Sequence, residues 1–505
     1  MDSLVNNFLE QGMLLDEGAI SFLKELNMSE DFAVFAKSRA DKIKIVSNGF
    51  PIINKEKIAV FFKDLGAEFE KSASAKPSSE IIPGLSAAAR TARDTLATVL
   101  VKNEFNEKMH DKTIDSFFDY YANRYSKMKS MLLQRPELSG AVSMNRFRMN
   151  SQTTEKNVCV IGIITNILQS KHGNTIVEME DPTGKITAFI KKDKNIGEDR
   201  IIKDEIIGVK GSFSKNYLFA DSIVFPDVPF PQSIKTISEP LSAAFISDLH
   251  FGSKQFIFDV EKKFIDWISN NPEAKNVKYL VIAGDVVDGV GIYPNQEKDL
   301  DVKDIYAQYA LFEKFVCQIP EHIDIIISPG NHDAVRSAEP QPPIGIEMLP
   351  NIYHRKNVHL VSNPALVSLG SSNGAPGIDI LIYHGSSITD IVNDIPYLRL
   401  KTMKEPQHVM KEMLRKRHLA PIYGSITLSP EQKDYFVIDI VPDIFLTGHL
   451  HSHAIENYRG VTMICSSTFQ GQTSFMDRVG HTANPGKISV VELNTRNHSV
   501  VDLMK

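Results

Sequence analysis

Apolar residues recur at three- and four-residue spacing in the first part of the chain, which is typical of amphipathic helices. The segments "SLVNNFLEQGMLL" and "EKIAVFFKDLGAEF" have this spacing, so residues 1–70 are predicted to form a small helical N-terminal domain. From Glu70 the chain becomes rich in Ser, Ala and Pro. Such a composition favours an extended chain without a packed core, and residues 71–112 are therefore predicted to be a flexible linker.

The pattern changes again after the linker. Helical spacing returns over Thr113–Gln134, so residues 113–150 are predicted to be a helical connector. Short runs rich in β-branched residues follow between residues 157 and 227: "NVCVIGIIT", "NTIVEMED", "KITAFIKK", "EIIGVKGSF" and "LFADSIVF". Because these runs would be five short strands separated by turns, residues 151–232 are predicted to form a small β-barrel, with the OB-fold as first choice.

A group of lysines lies on or beside one hairpin of the predicted barrel: Lys185, Lys191, Lys192 and Lys194. One interpretation is a groove for single-stranded nucleic acid, in which basic side chains follow the phosphate backbone. The other is a solvated polar face, or a barrel that serves for protein contacts. The sequence shows no regular interleaving of aromatic residues with these lysines, so the second interpretation is favoured.

Strands alternate with helical stretches in the second half of the chain, which predicts a larger α/β domain over residues 233–505. Five of these strands end just before side chains that can bind metal or move protons. These side chains are Asp248 and His250, Asp285, Asn331 and His332, His384, and His449 and His451. Ligands of open α/β sheets bind at the carboxyl ends of strands. We therefore expect the five strand ends to converge on one site.

The donor atoms offered by these residues are carboxylate, imidazole and amide groups, without a thiolate. This mixture suits divalent ions such as Mn²⁺, Fe²⁺ or Zn²⁺ better than it suits a structural thiolate zinc site. The candidate ligands are too many for one tetrahedral ion. Two ions that share a bridging carboxylate fit the number.

Composition restricts the class of protein without identifying it. The chain has 505 residues, of which 42% are hydrophobic and 23% charged, as in an ordinary globular protein of two to four domains. The net charge of -6 neither indicates nor excludes a local nucleic-acid groove. The three cysteines are far apart in sequence, which favours a reduced, cytoplasmic compartment. No apolar run approaches the roughly 20 residues of a membrane helix, so no membrane contact is expected.

The candidate ligands lie in short motifs, "SDLH", "GDVVD", "GNHD", "YHG" and "GHLH", which resemble those of the calcineurin-type metallophosphoesterases over residues 243–493. Two longer strings, "GNHDAVRSAEPQPPI" and "LRKRHLAPIYG", resemble one branch of that superfamily, the small subunits of archaeal D-family DNA polymerases. The resemblance implies an α/β protein with a metallophosphoesterase β-sandwich flanked by helices. An OB-fold β-barrel and a small helical N-terminal domain would precede the sandwich.

The resemblance also implies a role for each side chain. The ligands of one metal ion would be Asp248, His250 and His451, although His250 could instead act mainly on the substrate, because the last ligand of this ion varies within the superfamily. The ligands of the other would be Asn331, His384 and His449. Asp285 would bridge the two ions. His332 would be the catalytic acid that protonates the leaving oxygen, since histidine has a pKa near the working pH.

Two further aspartates are expected to support this site. Asp288 matches a family residue that orients His332, although a turn-forming aspartate is an equally good interpretation. Asp333 is expected to hold the surrounding loops in place rather than to react.

The activity that the resemblance implies is 3′→5′ exonuclease action on DNA for proofreading, with release of 5′-mononucleotides. The cofactors would be two divalent metal ions, with Mn²⁺ as first choice and Fe²⁺, Zn²⁺ or Mg²⁺ as alternatives. The partners would be a large catalytic polymerase subunit, the single-stranded 3′ end or primer–template of DNA, and a sliding clamp. The alternatives are a non-catalytic polymerase scaffold and a free-standing phosphodiesterase or nuclease.

Four consecutive basic residues, Arg415 to His418, lie within the second family string. They could contact a phosphate backbone or another subunit. They could equally be the end of an amphipathic helix, where the helix dipole favours positive charge.

Overall fold

The computed structural model describes residues 14–15, 52–53, 92–95, 98–106, 112–148, 154–371, 375–401 and 404–505. The chain forms two compact units, Met1–Ala88 and Ala89–Lys505. In the first unit, strand β1 (Leu14–Leu15) pairs in parallel with strand β2 (Ile52–Ile53). Leu14 and Leu15 therefore lie in a strand, although their spacing predicted a helix. The remainder of the predicted helical domain at residues 1–70 lies outside the described residues.

The second unit contains the elements on which the rest of the description depends. Its strands are β3 (Val99–Glu104), β4 (Glu155–Gln169), β5 (Thr175–Asp181), β6 (Gly184–Ile190), β7 (Ile206–Ser214), β8 (Tyr217–Val224), β9 (Ser242–Ile246), β10 (Val277–Ala283), β11 (Asp324–Ser328), β12 (Val358–Leu360), β13 (Ala365–Leu369), β14 (Ile378–Ile382), β15 (Ile444–Thr447), β16 (Ala454–Tyr458), β17 (Val461–Cys465), β18 (Lys487–Glu492) and β19 (His498–Asp502). Its α-helices are α1 (Ile114–Leu133), α2 (Phe258–Asn270), α3 (Ile305–Gln318), α4 (Ile388–Asp394), α5 (Pro396–Lys401), α6 (Gln407–Lys416) and α7 (Ser474–Val479). Short 3-10 helices lie at Ala92–Asp94, Pro136–Leu138, Met144–Arg148, Pro272–Ala274 and Gln296–Lys298. No helix in this described part of the chain is long and apolar enough to cross a bilayer.

The predicted small barrel is present. Strands β4 to β8 form a closed barrel in the order β4-β5-β6-β8-β7. Alternate residues face its interior, as Val177 and Met179 do on β5, while Glu178 between them is exposed. This period of two is the alternation expected of strands with one buried face. The finer assignment of the barrel as an OB-fold stays a prediction.

Two six-stranded sheets pack face to face in the larger domain. Their orders are β12-β11-β10-β9-β18-β19 and β16-β17-β15-β14-β13-β3. On β10, Tyr279 and Val281 point into the apolar core between the sheets, while Leu280 and Ile282 face a second core formed with α2 and α3. A third core lies under α4, α5 and α6 on the other sheet. Burial on both faces explains why the central strands are continuous apolar runs.

The central strands of each sheet are parallel and end at one edge. In the first sheet, Ile246 of β9 is level with Ile282 of β10, and Ala283 is level with Ser328 of β11. In the second sheet, β14 and β15 run parallel to each other. The residues that follow these strands are therefore brought to the same end of the sandwich.

The range predicted as a linker, residues 71–112, contains a strand of the sandwich. β3 pairs in antiparallel fashion with β13 at the edge of the second sheet. The prediction of a flexible linker is wrong at this strand. β3 escaped notice because an edge strand with one exposed side has a weak apolar pattern, and Leu100 is 52% exposed.

The run of basic residues forms the last turn and end of α6, which is the second of the two interpretations, and its residues Lys416, Arg417 and His418 are buried. Lys416 is 1% exposed and donates hydrogen bonds from Nζ to Glu205 Oε2 at 2.8 Å and to the Arg200 carbonyl at 2.6 Å. Arg417, which is 5% exposed, donates to the carbonyls of Ile438 and Asp439. Since Glu205 and Arg200 belong to the barrel side, this run joins the barrel to the sandwich.

Candidate metal centre

The candidate ligands and His332 lie together beyond the ends of five strands. They follow β9 (Asp248 and His250), β10 (Asp285), β11 (Asn331 and His332), β14 (His384) and β15 (His449 and His451). Buried side chains at the base of the site are those of Asp248, His250, Asp285, His384 and His451. The side chains of Asn331, His332 and His449 are only partly buried. The site is therefore open to a substrate on the side that these three residues form.

The backbone at this site is strained. Positive φ angles are found at Asp248 (53°), His250 (53°), Asp285 (50°), His449 (68°) and His451 (48°). This conformation costs a residue with a Cβ atom about 1–2 kcal/mol. Backbone hydrogen bonds hold it, from Asp248 N to the Gly284 carbonyl at 3.0 Å and from His250 N to the Asp285 carbonyl at 3.1 Å. Strain of this kind concentrates at functional sites, where the surrounding structure over-determines the geometry.

One group of ligand atoms is formed by Asp248, His250 and His451. His250 Nε2 lies 3.0 Å from His451 Nε2, and the latter lies 3.3 Å from Asp248 Oδ1. His250 Nδ1 donates to Asp288 Oδ1 at 2.9 Å, which fixes the ring so that Nε2 faces the group.

A second group is formed by Asp285, His384 and His449, with Asn331 between the two histidines. Asn331 Oδ1 lies 3.0 Å from His384 Nε2 and 3.0 Å from His449 Nδ1. Asp285 Oδ2 is 3.1 Å from His384 Nε2 and 3.8 Å from His250 Nε2. A single carboxylate oxygen therefore lies between the two groups.

Divalent ions fit these groups. Two ligand atoms that are each about 2.1 Å from one ion lie about 3.0–3.4 Å from each other. Separations of 3.0–3.3 Å within both groups match this range. Close approach also requires glycine here, because a Cβ atom on Gly330 would lie 2.3 Å from Asp285 Oδ1 and one on Gly448 would lie 2.6 Å from Asp248 Oδ2. His451 Nδ1 is buried and has no hydrogen-bond partner among the described residues.

The interaction between Asp285 and His384 shifts the pKa values of both residues against the effect of burial. Burial would lower the pKa of His384, but the charge of Asp285 and the hydrogen bond to it raise that pKa to about 10. Burial would likewise raise the pKa of Asp285, but His384, His332 and His250 hold it well below its ordinary value. Burial and the charge of His384 lower the pKa of His449 to about 3. Without a cation, His384 therefore carries a proton and His449 does not.

The imidazole ring of His332 is held by a backbone carbonyl rather than by a carboxylate. Its Nδ1 donates to the Asp288 carbonyl at 2.6 Å, and its backbone N donates to Asp285 Oδ1 at 2.8 Å. The Asp288 carboxylate instead accepts hydrogen bonds from His250 Nδ1 at 2.9 Å and from Gln470 Nε2 at 2.9 Å. The prediction that the Asp288 side chain orients His332 is therefore wrong, since that side chain orients His250.

Asp333 holds two strand ends together, as the sequence predicted. Its carboxylate accepts hydrogen bonds from Gly330 N at 2.8 Å and Val286 N at 3.2 Å, and from the Tyr309 hydroxyl at 3.3 Å. Burial and the charge of Asp285 raise the pKa of Asp333 to about 7. This residue therefore supports the loops that carry Asp285 and Asn331.

Other supporting residues have no signal in the sequence. Asn363 Oδ1 accepts from His384 N at 2.9 Å, and Gln296 Nε2 donates to the Asp288 carbonyl at 2.8 Å. Together with Gln470 they are amides in loops, a common residue type without a motif. They contact the centre only because the chain folds back on itself.

The family string that follows His332 has a structural role. Arg336 Nε donates to the carbonyls of Ala338 at 3.0 Å and Pro340 at 2.9 Å, and Nη2 pairs with Glu431 at 2.9 Å. Gln341 Nε2 then donates to the Gly330 carbonyl at 3.3 Å. These bonds close the loop behind the candidate ligands.

Comparison with known proteins identifies relatives of this chain. The family model for the B-subunits of DNA polymerases alpha and epsilon matches residues 243–456. The "DNA polymerase II small subunit" of Archaeoglobus fulgidus is 35% identical over 497 residues, which are 97% of this chain and 95% of that protein. The protein with the same description from Methanothermobacter thermautotrophicus is 34% identical, and the alignment covers the full length of both chains. A solved structure described as an archaeal phosphodiesterase aligns with a TM-score of 0.26 at 14% identity over 52% of this chain and 99% of that one, which is too weak for an argument. The chain therefore belongs to the family of archaeal DNA polymerase II small subunits.

Proposed function

We propose that this protein is a metal-dependent phosphodiesterase that removes nucleotides from the 3′ end of DNA, as the proofreading small subunit of a D-family polymerase. The observation that carries the proposal is the position of Asp285 Oδ2 between the imidazoles of His250 and His384, at 3.8 and 3.1 Å. A shared carboxylate between two groups of ligands is the arrangement expected for a pair of divalent ions. A scaffold without catalysis would not need five strained residues around it.

The residues divide into two ligand sets. One ion would be held by Asp248, His250 and His451, and the other by Asn331, His384 and His449, with Asp285 shared. Bound here, divalent cations supply a nucleophilic water at neutral pH and offset charge on the phosphate oxygens. The donor set is compatible with Mn²⁺, our first choice, and with Fe²⁺, Zn²⁺ or Mg²⁺.

Two residues on the open side of the centre act on the substrate. Asn331 can donate a hydrogen bond to a phosphate oxygen through Nδ2, while its Oδ1 faces His384 and His449. His332 Nδ1 donates a hydrogen bond to the Asp288 carbonyl, so Nε2 is the ring nitrogen that is available to the substrate. Protonated at Nε2, His332 gives that proton to the 3′-oxygen of the penultimate nucleotide as the phosphodiester bond breaks.

The partners follow from the proposed reaction. A small subunit implies a large catalytic subunit, and a proofreading exonuclease acts on the 3′ end that this subunit extends. The barrel, as an OB-fold, would contribute to DNA or subunit binding, and a sliding clamp would be a further partner.

A nuclease assay with a matched histidine control tests the proposal. The full chain, loaded with Mn²⁺, is incubated with single-stranded DNA labelled at its 5′ end. We expect a ladder that shortens from the 3′ end, and a decrease in rate of about 10²- to 10⁴-fold in His332→Ala. His498→Ala, a substitution at an exposed position on β19, should match the wild type. Wild-type protein that binds two ions and leaves the DNA intact would favour the scaffold function instead.

A further inference from the structure

A rim of exposed apolar side chains lies on two loops that are bonded to residues of the metal centre. Val290 and Ile292 are 49% and 39% exposed, and Phe475 on α7 is 45% exposed. The rings of Tyr293 and Phe475 stack, with centroids 5.6 Å apart and planes at 25°. The stacked pair joins two loops that are far apart in the sequence, and it leaves a large part of one ring open to solvent.

The first loop of this rim is attached to the side of the centre where His332 lies. Gln296 donates to the Asp288 carbonyl from Nε2 at 2.8 Å and accepts from Ile292 N through Oε1 at 2.9 Å. A Cβ atom on Gly289 would lie 2.4 Å from the His332 carbonyl and 2.9 Å from Ile292 Cγ1. The loop therefore passes directly against the backbone of His332.

The second loop begins and ends at residues that are bonded to the centre. Gln470 Nε2 donates to Asp288 Oδ1 at 2.9 Å, and Asn484 N donates to the His451 carbonyl at 2.8 Å. Phe475 lies between these two attachments. The loop that carries Phe475 is thus bonded to Asp288 on one side of this residue and to the backbone of His451 on the other.

A positive charge accompanies the aromatic pair. Arg478 lies three residues after Phe475 and is exposed. Because Arg478 follows Phe475 by three residues on α7, the two side chains lie on the same face of that helix. A ring with an open face beside an exposed guanidinium is suited to a nucleotide, since aromatic rings stack on bases and guanidinium binds phosphate.

We propose that Tyr293 and Phe475 form a nucleobase-binding subsite that stacks the base of the penultimate nucleotide, the one whose 3′-oxygen leaves. This inference rests on the proposed exonuclease function and deepens it. We assign the stacked base to the leaving-group side of the scissile phosphate, because the rim lies against His332 and Asp288, where the leaving oxygen is protonated. The base on the other side of the scissile phosphate would lie away from this rim.

The activity test places an abasic residue at either of the last two positions of a 5′-labelled single strand. For the wild type, removal of the penultimate base should lower kcat/KM by about 5- to 100-fold, the range for loss of one base stack. Removal of the terminal base should have a much smaller effect. Phe475→Ala should lose this discrimination, Phe475→Trp should keep it, and Tyr306→Ala, an exposed aromatic on α3, should behave as the wild type. Unchanged discrimination in Phe475→Ala, or an effect at the terminal base alone, would overturn the inference.

A binding test separates the subsite from the catalytic proposal. His332→Ala loaded with Mn²⁺ is titrated with a single strand that carries 2-aminopurine at the penultimate position. We expect quenching of the fluorescence by the stacked rings, and loss of quenching in the double variant with Phe475→Ala. This result does not depend on hydrolysis, so quenching without any cleavage in the wild type would refute the exonuclease and retain the subsite. Absence of quenching, or an equal signal in both variants, would refute the subsite and show that the rim serves another contact, such as a protein.

Discussion

Metal binding should release a proton from the site, because His384 holds one that a cation must displace. Both ring nitrogens of His384 face acceptors, with Nδ1 2.8 Å from the Ala283 carbonyl and Nε2 3.1 Å from Asp285 Oδ2. This geometry stabilises the imidazolium and raises its pKa to about 10. Metal ligands must be deprotonated, so binding of the ion at Nε2 requires loss of that proton.

The number of protons can be worked from the pKa values of the group. At pH 7 a group with a pKa of about 10 is almost fully protonated, so His384 contributes about one proton. His449, with a pKa of about 3, contributes none. Burial would lower the pKa of His250, but the hydrogen bond to Asp288 raises it, so a proton held by His250 adds to this number. We expect release of about one to two protons when both ions bind, and an affinity that rises about tenfold per pH unit between pH 7 and 9.

The assay is calorimetric titration of chelator-treated protein with Mn²⁺ in several buffers that differ in ionisation enthalpy. The observed heat of binding is plotted against the ionisation enthalpy of the buffer, and the slope gives the number of protons released. Release of fewer than about 0.3 protons at pH 7 would refute the reasoning. The same pair affects the stability of the metal-free protein. The pKa of His384 is raised above its unfolded value of about 6.5, so its stabilising contribution is complete below that pH. It is lost as the pH rises through about 10.

Three substitutions test other parts of the account. Asp285→Asn should lose both ions, because the carboxylate that it removes faces both ligand groups. Asp259→Asn, at an exposed position, should retain both ions, and elemental analysis measures the metal content of each variant. Full occupancy in Asp285→Asn would exclude the bridging role. Arg124→Met should lower the free energy of unfolding by about 3–5 kcal/mol in urea denaturation. The substitution removes Arg124 Nε, which lies 2.6 Å from Oδ2 of the fully buried Asp434 carboxylate. A change below about 1 kcal/mol would show that the ion pair is dispensable. Gly330→Ala should abolish metal binding and leave the secondary structure intact by circular dichroism, because the added Cβ would lie 2.3 Å from Asp285 Oδ1; normal metal content would contradict this.

The sequence located the candidate ligands because each one directly follows a buried strand. Apolar runs such as β10 are easy to recognise, and parallel strands of one sheet end together, so Asp248, Asp285 and Asn331 could be expected to meet. The five strands of the barrel were recognisable because each is a short run rich in β-branched residues, with turns between the runs.

Other features depend on contacts between distant parts of the chain and could not be predicted. The sequence did not decide between a surface contact and a helix end for the basic run of α6, because Glu205, the partner of Lys416, lies 211 residues earlier in the chain. Phe189 and Phe219, whose rings are 5.7 Å apart, become neighbours only when β6 pairs with β8, so an aromatic pair on the barrel was not visible in the sequence. The role of Asp288 was assigned to the wrong histidine, because only the fold places its carboxylate against His250.

The central claim is that water attacks the last phosphodiester bond of DNA at this metal centre. The most direct test is hydrolysis of a single-stranded oligonucleotide in H₂¹⁸O by the Mn²⁺-loaded protein, with mass spectrometry of the products. We expect a 5′-mononucleotide with one ¹⁸O atom in its phosphate and a DNA strand shortened by one residue with an unlabelled 3′-hydroxyl. Products with a 3′-phosphate, or intact DNA in the presence of two bound ions, would contradict it.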